Sequence, residues 1–427
     1  MKNLPTLLLL LFATVLSSCG GDDDYSPTET NDTEAPSAPA NLTASNETES
    51  SIDISWDAST DNVGVIGYKV FQDGIEIASN VSGTSYTALN LDFETTYSYS
   101  VIAFDAAGNE SNTSNTIDAT TIDAPFGFRD NLSQMGVYVE DMATLTPSTG
   151  VQLYEINTTL FTDYSKKQRL IKLPDGETLT YNGDDLLPSY PDETLIAKTF
   201  FYNIDDRDPS LGKTIIETRI FLKINGVWEV GDYIWNESQT DATYTENSSQ
   251  IAISFIDEDG DTNNIDYVIP SKQDCFTCHN NNSTPIPIGM KLRSMNFTPS
   301  YTGGQNQLDF FINNGLLEGL GSSSEVSVLP DWTDTANYDI FERGRAYLDV
   351  NCAHCHRPGS TTPPEIELDL RLETPYADTK IYEKRSSIEA RFSSVIAGYS
   401  MPLIGRTVVH EEALTMLMDY LSQISEP

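Results

Sequence analysis

The chain is poor in positive charge, histidine and cysteine. Its 427 residues include 24 lysines plus arginines against 64 aspartates plus glutamates, four histidines and five cysteines, for a formal net charge of −40. Such an acidic surface repels nucleic acid and anionic lipid, so neither is expected as a partner. Histidine is too scarce and too clustered to supply a Ser/His/Asp constellation, and no glycine-rich loop has phosphate-cradling spacing. Beyond the first 16 residues no run of 18 apolar residues occurs, so no spanning helix is expected. The charge is spread unevenly. Between Gly20 and Ala124, 19 acidic residues face one basic residue, Lys69, giving −18; from Pro125 onward 45 face 22, giving −23.

What is present begins with an export pattern. Met1-Lys2-Asn3 carries one positive charge, and Leu4 to Leu16 is an apolar stretch of signal-peptide length, too short to span a bilayer. Leu16-Ser17-Ser18-Cys19-Gly20 resembles the lipobox of bacterial lipoproteins. The resemblance implies a signal peptide over 1–18, a diacylated Cys19 and a lipid anchor. A conventionally cleaved signal leaving a free thiol is the alternative. Asp22-Asp23-Asp24 follows, like the surface-export signal of some Gram-negative lipoproteins, or simply a solvated tether over 19–34. The expected location is the cell envelope: an outer-membrane lipoprotein, periplasmic or surface-exposed.

From 35 to 122 short alternating runs are punctuated by turn residues, which predicts a β-sandwich. Ser51-Ile52-Asp53-Ile54-Ser55-Trp56 and Gly67-Tyr68-Lys69-Val70-Phe71 alternate, the latter breaking at Asp73-Gly74. Pro36, Pro39, Leu42, Trp56, Tyr68, Leu91-x3-Thr95-x-Tyr97 and Asp105-x2-Gly108-Asn109-x-Ser111 together resemble a fibronectin type III domain. Such domains act mostly as spacers or weak binding modules. The pattern stays β-like over 125–270, where Asn225-Gly226 between alternating runs is a strong hairpin signal. Asp257-Glu258-Asp259-Gly260-Asp261 has its glycine at the fourth position, not the sixth an EF-hand loop needs, and reads as a polar hairpin tip.

Four of the five cysteines and three of the four histidines fall in Cys275-Phe276-Thr277-Cys278-His279 and Cys352-Ala353-His354-Cys355-His356. C-x-x-C-H is the spacing that attaches a c-type haem. Both thiols on one turn can reach the vinyl groups of one haem edge, and the next imidazole can ligate iron. One zinc site shared by both pairs, a dithiol redox motif and simple disulfides are the rival readings. The expectation is two covalently bound c-type haems, on Cys275, Cys278 and His279 and on Cys352, Cys355 and His356.

Phrases such as Tyr154 to Tyr164, Lys198-Thr199-Phe200, Glu217-Thr218-Arg219, Tyr233-Ile234-Trp235-Asn236 and Ile269 to Asp274 resemble a family of exported di-haem c-type cytochromes. The resemblance implies electron transfer without naming a substrate. The order of a helix near Tyr338–Asn351, the second motif, Met401-Pro402 and a last amphipathic helix from Glu411 to Ile424 resembles class I cytochrome c. It implies His356 and Met401 as axial ligands and a close crossing of Gly344 with Tyr420. For the first haem, with proximal His279 at 271–330, Met290, Met295, His354 or His410 stand as distal candidates, or the iron is five-coordinate. Leu308 to Leu317 reads as a helix. Lys272, Lys291, Arg293, Arg343, Arg345 and Arg357 read as propionate partners or solvated charges.

The fold class expected is therefore multidomain: a fibronectin-like β-sandwich, a β-rich region, and an all-α cytochrome c domain over 331–427. The function expected is electron carriage at the cell envelope, with a redox protein as partner and no catalytic residue. A peroxidase-like haem oxidoreductase and a surface adhesion or glycan-binding lipoprotein are the alternatives.

Overall fold

A computed structural model describes residues 32–123 and 126–427. Cys19, the signal segment 1–18 and most of the 19–34 tether lie outside the described residues. The chain divides into two units, Met1–Pro125 and Phe126–Pro427. Among the described residues no helix is long and apolar enough to cross a membrane.

The first unit has seven strands: β1 (Ala40–Ser45), β2 (Ser51–Asp57), β3 (Val65–Gln72), β4 (Ile75–Val81), β5 (Ser85–Leu89), β6 (Thr96–Asp105) and β7 (Ile117–Thr120). They form two sheets, β1-β2-β5 and β4-β3-β6-β7. The two-residue period decides which side chains meet. On β2, Ile52, Ile54 and Trp56 are buried while Asp53, Ser55 and Asp57 are not. Burying each such side chain stabilises the sandwich by roughly 1.5–3 kcal/mol. Trp56 meets the edge of Tyr68 with centroids 5.3 Å apart. Tyr97 Oη accepts the Asp92 N–H at 2.9 Å, the tyrosine corner expected from Leu91-x3-Thr95-x-Tyr97. Asp105, itself buried, accepts the N–H groups of Ala107 and Asn109 and closes the following loop.

In the second unit the strands are β8 (Val151–Leu153), β9 (Lys166–Lys172), β10 (Leu179–Thr180), β11 (Leu195–Asn203), β12 (Lys213–Ile224), β13 (Val227–Trp235), β14 (Ala242–Thr245), β15 (Ser249–Ile256) and β16 (Thr262–Ile269). Six make one antiparallel sheet in the order β14-β13-β12-β11-β9-β8. Asn225 and Gly226 both take positive φ (51° and 80°), as a two-residue hairpin that matches strand twist requires. Both faces of the sheet are covered, which explains runs such as Ile220-Phe221-Leu222. Leu170, Leu195, Ile220, Leu222 and Tyr233 pack on Leu132, Val137 and Met142. Ile171, Ile196, Phe221 and Val230 pack on Met290, Leu292, Leu308 and Phe311. β15 and β16 form a hairpin whose tip is the acidic stretch; there Asp257 Oδ1 accepts the Asp259 and Asp261 N–H groups.

The rest of this unit is short helices and loops: α1 (Lys272–Cys278), the small hairpin β17 (Asn280–Asn281) and β18 (Thr284–Pro285), α2 (Leu292–Met295), α3 (Gln307–Asn313), β19 (Leu317–Glu318), α4 (Ile340–Asn351), α5 (Ile381–Phe392) and α6 (Glu411–Gln423). The helix expected from Leu308 to Leu317 stops at Asn313, because Gly315 turns to positive φ and β19 then pairs with β10. α4 is capped by Asp339, which accepts from Phe341 and Glu342 while Glu342 accepts the Asp339 N–H. α4 and α6 cross at Gly344, where an added Cβ would lie 2.5 Å from Tyr420 Cγ.

An all-α domain over 331–427 is not set apart. Phe161 N–H donates to Asn351 Oδ1 at 2.7 Å, and Asp163 accepts the Thr407 and Val408 N–H groups at 2.7 and 3.1 Å. The three helices thus complete the unit that carries the sheet, and the chain is multidomain and β-rich with an N-terminal fibronectin-like sandwich. The physical reason is that the helical periodicity of α4 and α6 reports which face is apolar, not which element covers it.

Candidate functional site

Two helix ends bring the cysteine motifs together. α1 starts at Ser271, which forms a capping box with Asp274, and its seven residues place Cys275 and Cys278 one turn apart. Cys352 caps the end of α4, and its carbonyl accepts the N–H groups of Cys355 and His356 at 3.1 and 2.9 Å. Cys278 Sγ then lies 3.8 Å from Cys355 Sγ, and a nitrogen of His354 joins them, all three ligand atoms within 4.8 Å of one another. Hydrogen bonding to Cys278 and the adjacent His354 hold the Cys355 thiol down to about 4, while that same contact and burial push the Cys278 thiol up. Burial, helped by Asp232 and Glu217 at Cys275 and by Cys355 at Cys352, raises Cys275 to about 11 and Cys352 to about 12. All four are free thiols.

The histidines differ in what holds them. His279 packs on Phe221 with centroids 4.5 Å apart, its Nδ1 lies 3.1 Å from the Ile286 carbonyl, and burial pulls its pKa down to about 3. The Nδ1 atoms of His354 and His356 are buried without a partner. His410 is a satisfied core histidine: it stacks on Phe161 at 4.1 Å and its Nδ1 lies 2.9 Å from Tyr347 Oη. It is thereby removed from the candidates for reaching His279. Met290 and Met295 are buried in the apolar cluster that includes Cys275, Leu308 and Phe311.

Two cavities flank the cluster. One of about 400 Å³ is lined by Cys352, Cys355, His356, Met401, Leu348 and Leu417 among others. The second, of about 200 Å³, lies against the sheet and is bounded by His279, Phe221, Ile196, Arg169, Lys198 and Met290. The basic residues singled out near the motifs are largely committed elsewhere. Arg293, 2 % exposed, bonds Asp185, Asp349 and Glu373, and Lys291 pairs with Asp349 at 3.3 Å. Lys272 pairs with Glu246, while Arg343 and Arg345 donate to the carbonyls of Trp332 and Arg371. Arg357 donates to the Asn280 carbonyl at 3.0 Å. Arg169, Lys198 and Phe221 are the wall residues that sequence reasoning missed. The signal lay in the register of three alternating strands, which composition does not show.

Residues 37–120 match the fibronectin type III domain family. The chain is 38% identical over 152 residues to Chitinase A1 of Niallia circulans, covering 36% of this chain and 17% of that protein. It is 43% identical over 117 residues to Chitinase Chi52 of Paenibacillus xylanexedens, covering 27% and 21%. It is 48% identical over 90 residues to an alpha-amylase of Niallia circulans, covering 21% and 7%. The chain thus spans between 7% and 21% of the length of these curated relatives.

These relatives, with an exoglucanase of Cellulomonas fimi, are polysaccharide-degrading proteins by name, and they correct the haem expectation. The two c-type haems on Cys275, Cys278, His279, Cys352, Cys355 and His356 with Met401, the electron-carrier function and the peroxidase-like alternative are set aside on that finding. The physical reason is that C-x-x-C-H is a property of one helical turn. It does not decide which thiols meet, and here two thiols from different motifs, Cys278 and Cys355, lie 3.8 Å apart.

Proposed function

We propose that this is an exported, polysaccharide-associated protein. Its fibronectin type III unit serves as an accessory module for a second unit that makes the specific contacts. The observation that carries this reading is the match of residues 37–120 together with relatives named for chitin, starch-type and glucan hydrolysis. Three aromatic residues of the first unit turn inward, with Trp56, Tyr68 and Tyr99 at 5 %, 5 % and 0 % exposure. It therefore offers no broad aromatic platform for sugar rings from these side chains and acts chiefly as a spacer. Cys19, as a lipidated residue after a cleaved signal, would hold the protein at the cell envelope. Nucleic acid is no partner for a chain of charge −40.

Co-sedimentation of the full chain with insoluble chitin, cellulose and starch tests this. Retention on at least one polymer, released by its soluble oligosaccharide, is expected. Recovery of the whole protein in the supernatant from all three would overturn it. Metabolic labelling with a fatty-acid analogue tests the anchor: label should enter the wild type and be absent from Cys19→Ala.

A further inference from the structure

One face of the six-stranded sheet carries a row of three basic residues, of which the second unit pairs only one with carboxylates. Arg169 on β9 stands directly opposite Lys198 on β11, and Lys198 stands directly opposite Arg219 on β12. Like charges directly opposite one another destabilise a sheet. Arg219 is neutralised within the fold: its Nη2 lies 2.5 Å from Glu217 Oε1 and its Nε 3.6 Å from Asp232. Arg169 and Lys198 have no such relief. Arg169 is 6 % exposed, and its Nη2 is buried with no hydrogen-bond partner. The Lys198 amine, held well below the usual lysine range by burial and by Arg169, lies over the Phe200 ring at 4.9 Å, and no carboxylate forms an ion pair with it among the described residues. Both line the cavity of about 200 Å³.

The facing wall does not supply the missing charge. Its carboxylates Asp185, Asp349 and Glu373 are already held by Arg293, the last two also by Lys291. Its Arg357 adds a further cation whose Nε is buried without a partner. In a chain with 64 acidic and 24 basic residues, a buried pocket with surplus cations is not a consequence of composition. A desolvated guanidinium with a free donor costs stability unless an anion completes it. Beside the cations the lining is apolar, with Ile156, Leu160, Ile196 and Phe221.

We propose that this cavity is a binding site for a small organic acid, its carboxylate taken by Arg169 and Lys198 and its apolar body lying against Phe221 and Ile196. Arg169 supplies the fixed planar donors that suit a carboxylate, and Lys198 adds a point charge. The site lies within the second unit, and its preference for an acid over the matching amide is read with no polymer present, so its failure and that of the polysaccharide reading are distinguishable.

The test uses the full chain and matched pairs of acid and neutral amide: benzoate against benzamide, and terephthalate against terephthalamide. Calorimetric titration and melting temperature are read at fixed ionic strength. At least one acid should bind roughly tenfold or more tightly than its amide and raise the melting temperature. Arg169→Met and Lys198→Met should each remove that preference. Lys198→Met should also melt no lower than the wild type, since it removes a buried amine set between Arg169 and Arg219; this arm stands even if Arg169→Met does not fold. Equal binding of each acid and its amide, including no binding of either, would overturn the proposal. So would an acid preference that survives in both variants.

Discussion

The two units handle charge in opposite ways. The first holds one basic residue against 19 acidic ones from Gly20 to Ala124, and its core is apolar. Its carboxylates do local work, as Asp105 does when it accepts the Ala107 and Asn109 N–H groups at a turn. The second unit folds charge inside. Arg293 lies among three carboxylates, Glu217 is fully buried against Arg219 and Tyr267, and Arg169 is buried with a donor unfilled. A sandwich whose core is largely apolar, with the buried Asp105 satisfied by neighbouring N–H groups, is tolerant and suits a spacer. A unit that buries ions spends stability on fixed polar geometry, which is what a binding site needs.

The largest expected effect breaks this difference at its strongest point. Arg293→Met leaves Asp349, 7 % exposed, short of a partner, and should cost the second unit on the order of 3–5 kcal/mol. Urea unfolding followed by the fluorescence of Trp228, Trp235 and Trp332 reads it. A change below 1 kcal/mol, of the size of an exposed ion pair, would show that the charge is not buried in effect.

Gly344→Ala comes next. The added Cβ would meet the Tyr420 ring at 2.5 Å, so α4 and α6 must separate, at about 1–3 kcal/mol. Double substitution with Tyr420→Leu should recover part of that loss, and failure to do so would place the strain elsewhere.

Histidine sharpens the comparison through pH, because all four histidines belong to the second unit. Burial holds the His410 pKa down to about 4 in the folded protein. A histidine with a depressed folded pKa is neutral when folded and takes up a proton on unfolding. Its contribution is therefore intact above about 6.5 and is lost as pH falls toward about 4. The loss should approach about 1.4 kcal/mol per pH unit within that window. His410→Gln should flatten the second unit's pH profile there, while the first unit's unfolding should show no histidine-dependent change. An unaltered profile would argue that His410 titrates normally.

Tyr97→Phe is the smallest change, removing the hydrogen bond to the Asp92 N–H for about 0.5–1.5 kcal/mol in the first unit alone. Faster hydrogen exchange at the Asp92 amide checks it. An unchanged amide would mean the corner contributes nothing.

Much of the first unit was legible locally. Alternation on β2 and β3, the turn at Asp73-Gly74 and the spacing from Leu91 to Tyr97 each report a contact made within a few residues or one hairpin. The same holds for Asn225-Gly226, for the Asp257 hairpin tip and for the crossing of Gly344 with Tyr420. The site was less legible. The Cys275 and Cys352 motifs were visible as motifs, but the spacing within each turn led to two separate haems rather than to a cluster drawn from both.

What the sequence determined by itself was therefore its periodicities, its turns, its acidic surplus and the paired motifs, all set by neighbours in the chain. Only the tertiary structure decided that Cys278 faces Cys355, that His410 is stacked on Phe161 and taken up by Tyr347, and that Arg169, Lys198 and Arg219 share one row. Those facts depend on strand register and on which helix end meets which. A shift of register by one residue would turn each side chain to the other face of the sheet.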